Sequence, residues 1–534
     1  VSKKLLLVKK LFPSFLLAII AALCLSLGFY WEYGVLGVFV GFSLTWKAED
    51  LIRQNFRKPG WAIYSALFLF LLSWNVLATW WVHLTGALWV IAVANSLVMF
   101  VPFRLWFWLK KTLNSRWSLF IFVVIWLGFE FFHHNWQLTW IWLTLGNAFL
   151  YKNTWVQWYE FTGVLGGSLW ILGANVLLYH FYHSQGKFKL KYVAIFIGYF
   201  AVPWGVSQFL YHKSLPKPIQ ELNVLIVQPN INPFTEKFPN TAQYIPVEKQ
   251  TDILLRLSKE YLQKNTDLVV FPETAIDENF TESLIAKYPN FQRVDSFVKN
   301  HHTEVLMGIS TRAFFKTKQS PTSTYAKSVN AFYEDFNAAV YLKADTFSLY
   351  KKMILVPGVE TIPFPEYTIF LKDFISNIGA QFFLLGTGKQ QEVFNTPKAK
   401  VAPIICYESM YGEFTAGFVK KGANVLCTIT NDGWLGDTPW QKHHLYLGAL
   451  RSIETRKSMI HCSNMGVSGF IDPKGDIGKT IPYNQRTALL GNIYVYEGST
   501  FYVLYGDYLG KIACLLLFGL IAFVLVKKTL PNFK

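Results

Sequence analysis

The stretch Val401-Ala402-Pro403-Ile404-Ile405-Cys406-Tyr407-Glu408-Ser409-Met410 decides how the second half of this chain is read. Its first five residues are apolar and short, as a buried strand is. The strand delivers a cysteine at its end, beside polar residues and shortly before a helix start. A strand-to-helix turn of this kind exposes a nucleophile and aims backbone N–H groups at a developing oxyanion. A lone strand cysteine is more often a small buried hydrophobe, so its chemistry depends on what else the fold brings to that strand end.

Outward from Cys406, apolar runs alternate with amphipathic ones. Strands are predicted over 223–228, 267–271, 305–309, 338–342, 401–406, 425–430, 459–463 and 488–494, and helices over 247–264, 291–299, 412–421 and 441–456. Short strands separated by helices describe an α/β domain, over about 220–500, with helices on one face of its sheets.

The rest of the chain differs in kind. Overall composition is 52% hydrophobic, 18% aromatic and 16% charged, where soluble chains carry about a quarter charged residues. The apolar excess fills 1–212 and the last thirty residues. Against the roughly 20 residues needed to cross a bilayer, candidate spans lie near 11–29, 32–46, 61–82, 87–109, 117–133, 160–182, 191–211 and 510–526. The expected fold is a polytopic α-helical membrane domain of about eight spans plus an extracytoplasmic α/β domain. Seven spans fall in 1–212, and the eighth lies in 509–534 with a cytoplasmic tail. The first is read as a span and not a cleaved leader, because basic loops and further spans follow it.

A net charge of +17 could indicate nucleic acid. Its placement argues against that partner. Lys3, Lys4, Lys9 and Lys10 precede the first run, and Lys47, Arg53, Arg57 and Lys58 follow the second. Lys110, Lys111 and Arg116 follow the fourth, Lys187, Lys189 and Lys191 the sixth, and Lys527 and Lys528 the last. Alternation of basic and non-basic loops is the positive-inside pattern of a membrane protein, and it puts the α/β domain on the outer face. The Trp-rich stretch 135–142 is expected as an interfacial belt. Glu130 beside it is expected either to be functional or to sit at headgroup level. Five cysteines, Cys24, Cys406, Cys427, Cys462 and Cys514, lack metal-ligand spacing and imply no disulfide framework.

Two more segments of the α/β domain carry chemistry. Val269-Val270-Phe271-Pro272-Glu273 leaves a carboxylate at a strand mouth, a candidate general base. Tyr350-Lys351-Lys352-Met353-Ile354-Leu355-Val356-Pro357, followed by Glu360, offers an ammonium that can stabilise an oxyanion. Each is weak alone, since most such glutamates cap something and most lysine pairs are solvated.

In the order Glu, Lys, Cys, each at a strand end or in the loop after it, the three segments resemble the carbon–nitrogen hydrolase (nitrilase) superfamily. Val227-Gln228-Pro229-Asn230, Asn431-Asp432-Gly433-Trp434, the Arg451…Glu454 helix and Asn464-Met465-Gly466-Val467-Ser468 extend the likeness. Seven preceding spans and one following narrow it to the apolipoprotein N-acyltransferase family, whose motifs match Pro272-Glu273, Tyr350 to Pro357 and Ile405 to Glu408. The Leu-Val-Pro spacing selects Lys352 over Lys351. Three places depart from the family pattern: Gly358-Val359 before Glu360, Lys237-Phe238 where a tryptophan is usual, and Leu138-Thr139-Trp140-Ile141 in the membrane part.

The resemblance implies an α-β-β-α sandwich and catalysis by Glu273, Lys352 and Cys406, supported by Glu360, Tyr407 and Glu408. It implies a multi-pass enzyme of the bacterial inner membrane with a periplasmic catalytic domain. A phospholipid would donate an acyl chain to the Cys406 thiol. The amine of a diacylglyceryl-modified apolipoprotein would then accept it, in a ping-pong scheme without cofactor. Other readings are a membrane-anchored amidase using the same triad, a Cys406 site paired with His443 or His444, and a ligand-binding transporter or scaffold. The two histidines open an amphipathic helix, where solvated or structural roles are expected. His461-Cys462 lacks partners for a metal at the right spacing.

Overall fold

Leu222, Val224 and Ile226 alternate along one strand with Leu225 and Val227, and the two sets enter different cores. That period of two is what builds the layers of the α/β unit. The computed structural model describes residues 3–113, 117–185, 187–371 and 383–529; Arg116 of the basic pattern lies outside them. Within these limits there are two units, a helical one in 1–83, 87–213 and 505–534, and an α/β one in 84–86 and 214–504.

The α/β unit has two sheets. The first comprises β1 (Gln220–Gln228), β2 (Leu268–Val270), β3 (Ile276–Thr281), β4 (Glu304–Phe315), β5 (Thr324–Ala326), β6 (Ala331–Lys343), β7 (Thr346–Lys351) and β14 (Thr487–Val495). Its main path runs β14-β1-β2-β4-β6-β5, with β3 on β4 and β7 on β6. The second contains β8 (Phe394–Asn395), β9 (Lys400–Ile405), β10 (Val425–Thr430), β11 (Ser458–Ser463), β12 (Ser468–Ile471) and β13 (Ile477–Ile481), in the order β13-β12-β11-β10-β9-β8. The central strands β1, β2 and β4, and β9, β10 and β11, are parallel within their sheets.

Leu222, Val224, Ile226, Leu268 and Val270 of the first sheet pack against Val401, Val425, Ile429 and Ile460 of the second. The opposite face of the first sheet, with Leu225, Val269 and Val305, is covered by Leu254 and Leu257 of Val247–Tyr261 and by Val294 and Phe297 of Pro289–His301. Gly412–Lys420 and Trp440–Thr455 contribute Phe418, Leu445 and Ala449 to the core holding the second sheet. All eight predicted strands and all four predicted helices are present. The six additional strands are short, or polar and exposed, and so lack the apolar run that marks a buried strand.

Eight long helices build the other unit: α1 (Lys3–Leu27), α2 (Val35–Asn55), α3 (Gly60–Thr79), α4 (Leu88–Leu113), α5 (Ser118–His134), α6 (Val164–His183), α7 (Lys187–His212) and α8 (Tyr508–Thr529). Each overlaps a predicted run. Among the described residues, six helical stretches are long and apolar enough to cross a membrane. The other two are α2, charged in its second half, and α5, with 17 residues. Gly37 and Gly41, four apart on α2, let it approach α1 closely. A Cβ at Gly37 would lie 2.5 Å from the Cys24 carbonyl oxygen. Phe42, Trp46, Phe70, Trp74, Phe103, Phe122 and Trp126 form a buried aromatic core.

Glu130 is not at an exposed surface. It is 4% exposed, and its Oε1 accepts from the Trp126 indole (3.1 Å) and the Leu145 N–H (2.9 Å). Nor is 135–142 a simple exposed belt: Thr139 and Ile141 are buried, and the Trp140 N–H lies 3.0 Å from His133 Nε2.

Candidate active site

Strand ends from both sheets of the α/β unit meet at one cavity of about 250 Å³. Glu273 enters after β2, Lys352 after β7 and Cys406 after β9. Outer ends of strands are where an α/β fold can place reactive groups on a rigid base. Phe238, Phe336, Val356, Phe383, Leu385 and Trp434 give the cavity apolar walls.

Two of these turns hold a non-glycine residue in left-handed backbone: Thr274 (φ 44°), directly after Glu273, and Cys406 itself (φ 50°). Such a conformation costs about 1–2 kcal/mol, so each turn is held from outside. Pro272 O accepts from the Gly308 N–H, and Lys237 Nζ donates to Thr274 O at 2.5 Å. A Cβ at Gly308 would stand 2.6 Å from Glu273 Cα, so only glycine admits this approach. Around Cys406, the Ile405 N–H donates to Glu408 Oε2 (2.8 Å) and the Ser409 hydroxyl to Cys406 O (2.8 Å). Arg451, fully buried and bidentate with Glu454, donates to Met410 O at 2.8 Å and closes the turn.

Lys352 is 1% exposed. Its Nζ donates to Glu360 Oε1 at 2.8 Å and to Glu273 Oε1 at 3.3 Å. Asn337 Nδ2 bridges the same two oxygens, at 2.7 Å to Glu273 and 3.1 Å to Glu360. The Asn431 N–H, after β10, reaches Glu273 Oε2 at 3.0 Å and links the two sheets at the site. Burial alone pulls the Lys352 ammonium toward deprotonation; the Glu360 and Glu273 carboxylates outweigh it and hold its pKa above the ordinary lysine range. Lys351, one residue earlier, points elsewhere and pairs with Glu282 at 2.8 Å.

Burial pushes the Cys406 thiol up and Glu273 adds to the push, while Lys352 pulls the other way and loses. Glu408 is completely buried and not a surface charge. Its carboxylate accepts from Tyr350 Oη (2.6 Å), the Met353 N–H (2.7 Å) and the Ile405 N–H, tying the lysine loop to the cysteine strand. Burial raises its pKa to about 7, against those hydrogen bonds. Tyr407 is buried, with its ring edge-on to Tyr411.

Two of the three departures noted in the sequence lie here. Gly358 has φ +78°, Val359 lines the cavity, and Phe238 stacks on Trp434 with ring centroids 5.8 Å apart. Lys237 is buried behind the Glu273 turn, where burial lowers its pKa against Asp277 and Glu273.

His443 and His444 are both buried, so neither is solvated. His444 engages Asp432 (Nδ1 to Oδ1, 2.7 Å) and Ser409 (Nε2 to Oγ, 2.8 Å). With His461 it also forms the one cluster of possible metal ligands among the described residues. Two ligands at about 2.0–2.1 Å from a tetrahedral zinc stand roughly 3.3 Å apart; the 2.7 Å contact is that of a hydrogen bond. Asn337 escaped the sequence reading, which met Asp432 and Ser409 only inside motifs and His444 only as an alternative partner of Cys406. For Asn337 a signal existed, since it is a lone amide between Phe336 and Ala338 in a buried strand.

A cysteine, a carboxylate and a lysine gathered from the strand ends of two face-to-face sheets define the class. By sequence, residues 226–495 match the carbon–nitrogen hydrolase family, and the chain belongs to it. Residues 11–177 match the apolipoprotein N-acyltransferase N-terminal domain. Proteins named apolipoprotein N-acyltransferase from Chlorobaculum tepidum and Pasteurella multocida are 29% and 26% identical to this chain. The alignments cover 91% of this chain and 90% of the first relative, and 93% of each chain for the second. A solved Saccharomyces cerevisiae member of branch 10 of the nitrilase superfamily is 17% identical, with TM-score 0.35, over 53% of this chain and 93% of that one.

Proposed function

We propose that this protein is an apolipoprotein N-acyltransferase that moves a fatty acyl chain from a membrane phospholipid, through a thioester on Cys406, to the N-terminal amine of a diacylglyceryl-cysteine lipoprotein. The observation that carries this is the single cavity in which Cys406, Glu273 and Lys352 share apolar walls suited to an acyl chain, in a chain whose relatives of near-equal length bear that name.

In this reading Glu273 takes the thiol proton as Cys406 Sγ attacks the ester carbonyl, since the thiolate is the nucleophile. A thiol held up by burial loses its proton only as attack proceeds, which suits a base already oriented by Asn337, Lys352 and Asn431. Lys352 has three N–H groups; two go to Glu360 and Glu273, and the third, with the Tyr407 N–H, faces the oxyanion. Collapse breaks the ester bond, and Glu273 returns its proton to the departing lysophospholipid alkoxide. The acceptor amine then attacks the thioester, gives up a proton to Glu273 and forms the amide, and Cys406 leaves as a thiol.

The α/β domain, over about 220–500, would work at the periplasmic face of a bacterial inner membrane, with spans in 1–212 and 509–534. Both substrates lie in that bilayer. Intact-mass spectrometry tests the central step. Purified protein in detergent, given a phospholipid and no acceptor, gains one acyl mass, and Cys406→Ala gains none. Absence of the adduct in the wild type, even when Glu273→Ala slows turnover, overturns the donor assignment and leaves a membrane-anchored amidase.

A further inference from the structure

Beyond the triad, the structure contains a buried chain of polar groups that ends on the nucleophile's own backbone. Asp432 Oδ1 meets His444 Nδ1 at 2.7 Å, His444 Nε2 meets Ser409 Oγ at 2.8 Å, and Ser409 Oγ donates to Cys406 O at 2.8 Å. Asp432 is 2% exposed, and His444 and Ser409 are fully buried. We propose that Asp432, His444 and Ser409 are positioning residues that fix the peptide plane between Cys406 and Tyr407 and thereby aim the Tyr407 N–H at the oxyanion. This rests on the thioester reading above.

A serine hydroxyl has a single hydrogen. Here it goes to Cys406 O, since a carbonyl oxygen can only accept. His444 Nε2 and Cys406 O hold the serine oxygen between them, 2.8 Å from each, while Asp432 holds the other ring nitrogen.

Asp432 is itself immobilised. Thr430 Oγ1 donates to its Oδ1 (3.1 Å), Ser463 Oγ donates to its Oδ2 (3.0 Å), and His461 Nε2 stands 3.9 Å from Oδ2. Trp440 stacks on the His444 ring at 5.0 Å. The anchor is therefore rigid from the end of β10 to the cysteine turn.

The Cys406–Tyr407 peptide is trans, like every peptide bond among the described residues. Its C=O and N–H point in opposite directions within one plane. Holding the oxygen on Ser409 therefore sets the direction of the Tyr407 N–H. The plane needs holding, because Cys406 sits at φ 50°, a conformation that persists only where its surroundings impose it.

A purely structural role and a role in aiming the donor separate by reaction type. Alkylation of Cys406 by iodoacetamide occurs at a saturated carbon and forms no oxyanion, whereas acylation does. The full-length protein in detergent is compared with Ser409→Ala, His444→Gln and the double variant. Cys406 alkylation by iodoacetamide and acylation by a p-nitrophenyl ester or a phospholipid are followed by intact mass. We expect acylation to fall about tenfold or more in each single variant and alkylation to stay within about twofold. The double variant falls no further than the worse single one, because both act through one chain.

Parallel loss of both rates would show that the thiol itself was displaced and overturn the proposal, as would acylation equal to wild type. If wild type accepts the p-nitrophenyl acyl group but not the phospholipid's, the donor assignment fails and the positioning role is still decided by the variants. If it accepts neither, the thioester reading and this inference fall together.

Discussion

Both units bury carboxylates, and they treat them differently. In the helical unit Glu130 meets neutral donors, the Trp126 indole and the Leu145 N–H, and joins α5 to the segment after it. In the α/β unit Glu273 and Glu360 share one buried lysine and one amide, beside a cysteine whose thiol Glu273 pushes up and Lys352 pulls down. A carboxylate with neutral partners fastens two pieces of chain. Two carboxylates around one cation create a field, and a field can move a proton or hold a developing negative charge.

The largest expected effect comes from removing that cation. Lys352→Met leaves Glu273 and Glu360 facing each other without compensation. Acyl transfer should drop about 100- to 1,000-fold, as for loss of an oxyanion donor. Stability should drop by about 3–5 kcal/mol, as for a broken buried ion pair. Steady-state transfer assays and thermal melts measure the two. A variant that keeps its activity would show that the field is not what the site uses.

Glu408 sharpens the comparison, since it is a buried carboxylate of the fastening kind placed inside the reactive unit. Its pKa rises from the ordinary 4.5 to about 7 in the folded protein. The folded state thus holds a proton that the unfolded chain has already lost between those values. The stability this contributes is fully present below about pH 4.5, is lost as pH rises, and is gone above about 7. The span is about 3 kcal/mol. Glu408→Gln is less stable throughout, because the Ile405 N–H or the Tyr350–Met353 pair loses its acceptor. The gap in Tm between wild type and variant should be wider at pH 5 than at pH 8. A gap that widens toward pH 8 reverses the sign and rules the account out.

The smallest effect is expected in the helical unit. Glu130→Gln keeps an acceptor oxygen for Trp126 and Leu145, so stability should change by about 1 kcal/mol or less and acyl transfer should match wild type. A loss comparable to Lys352→Met would place Glu130 in the chemistry and collapse the distinction between the units.

Much of the α/β fold was legible because buried strands need uninterrupted apolar runs, and the chain writes those plainly. β7 was less so. Thr346–Lys351 is largely exposed, with only Tyr350 buried, and looks like loop. In the site, Glu273 and Cys406 were visible as polar groups at the ends of apolar runs and Lys352 as one of a lysine pair before such a run, but only their order and the resemblance made them a set. His444 was expected in a solvated or a structural role, and its burial decides for the second. A histidine near the start of an amphipathic helix carries the same local pattern whether it faces water or the back of an active site.

By itself, then, the sequence marked the eight strands with apolar runs, the helices that cover them and the stretches of apolar helix, and it offered Glu273, Lys352 and Cys406 as candidates for acyl chemistry. Those properties are local, set by side-chain type and spacing. Only the tertiary structure decided that Asn337 bridges two carboxylates and that Asp432, His444 and Ser409 end on the Cys406 carbonyl. Those groups are distant in sequence and join across two sheets, so their hydrogen bonds exist only once both sheets have packed.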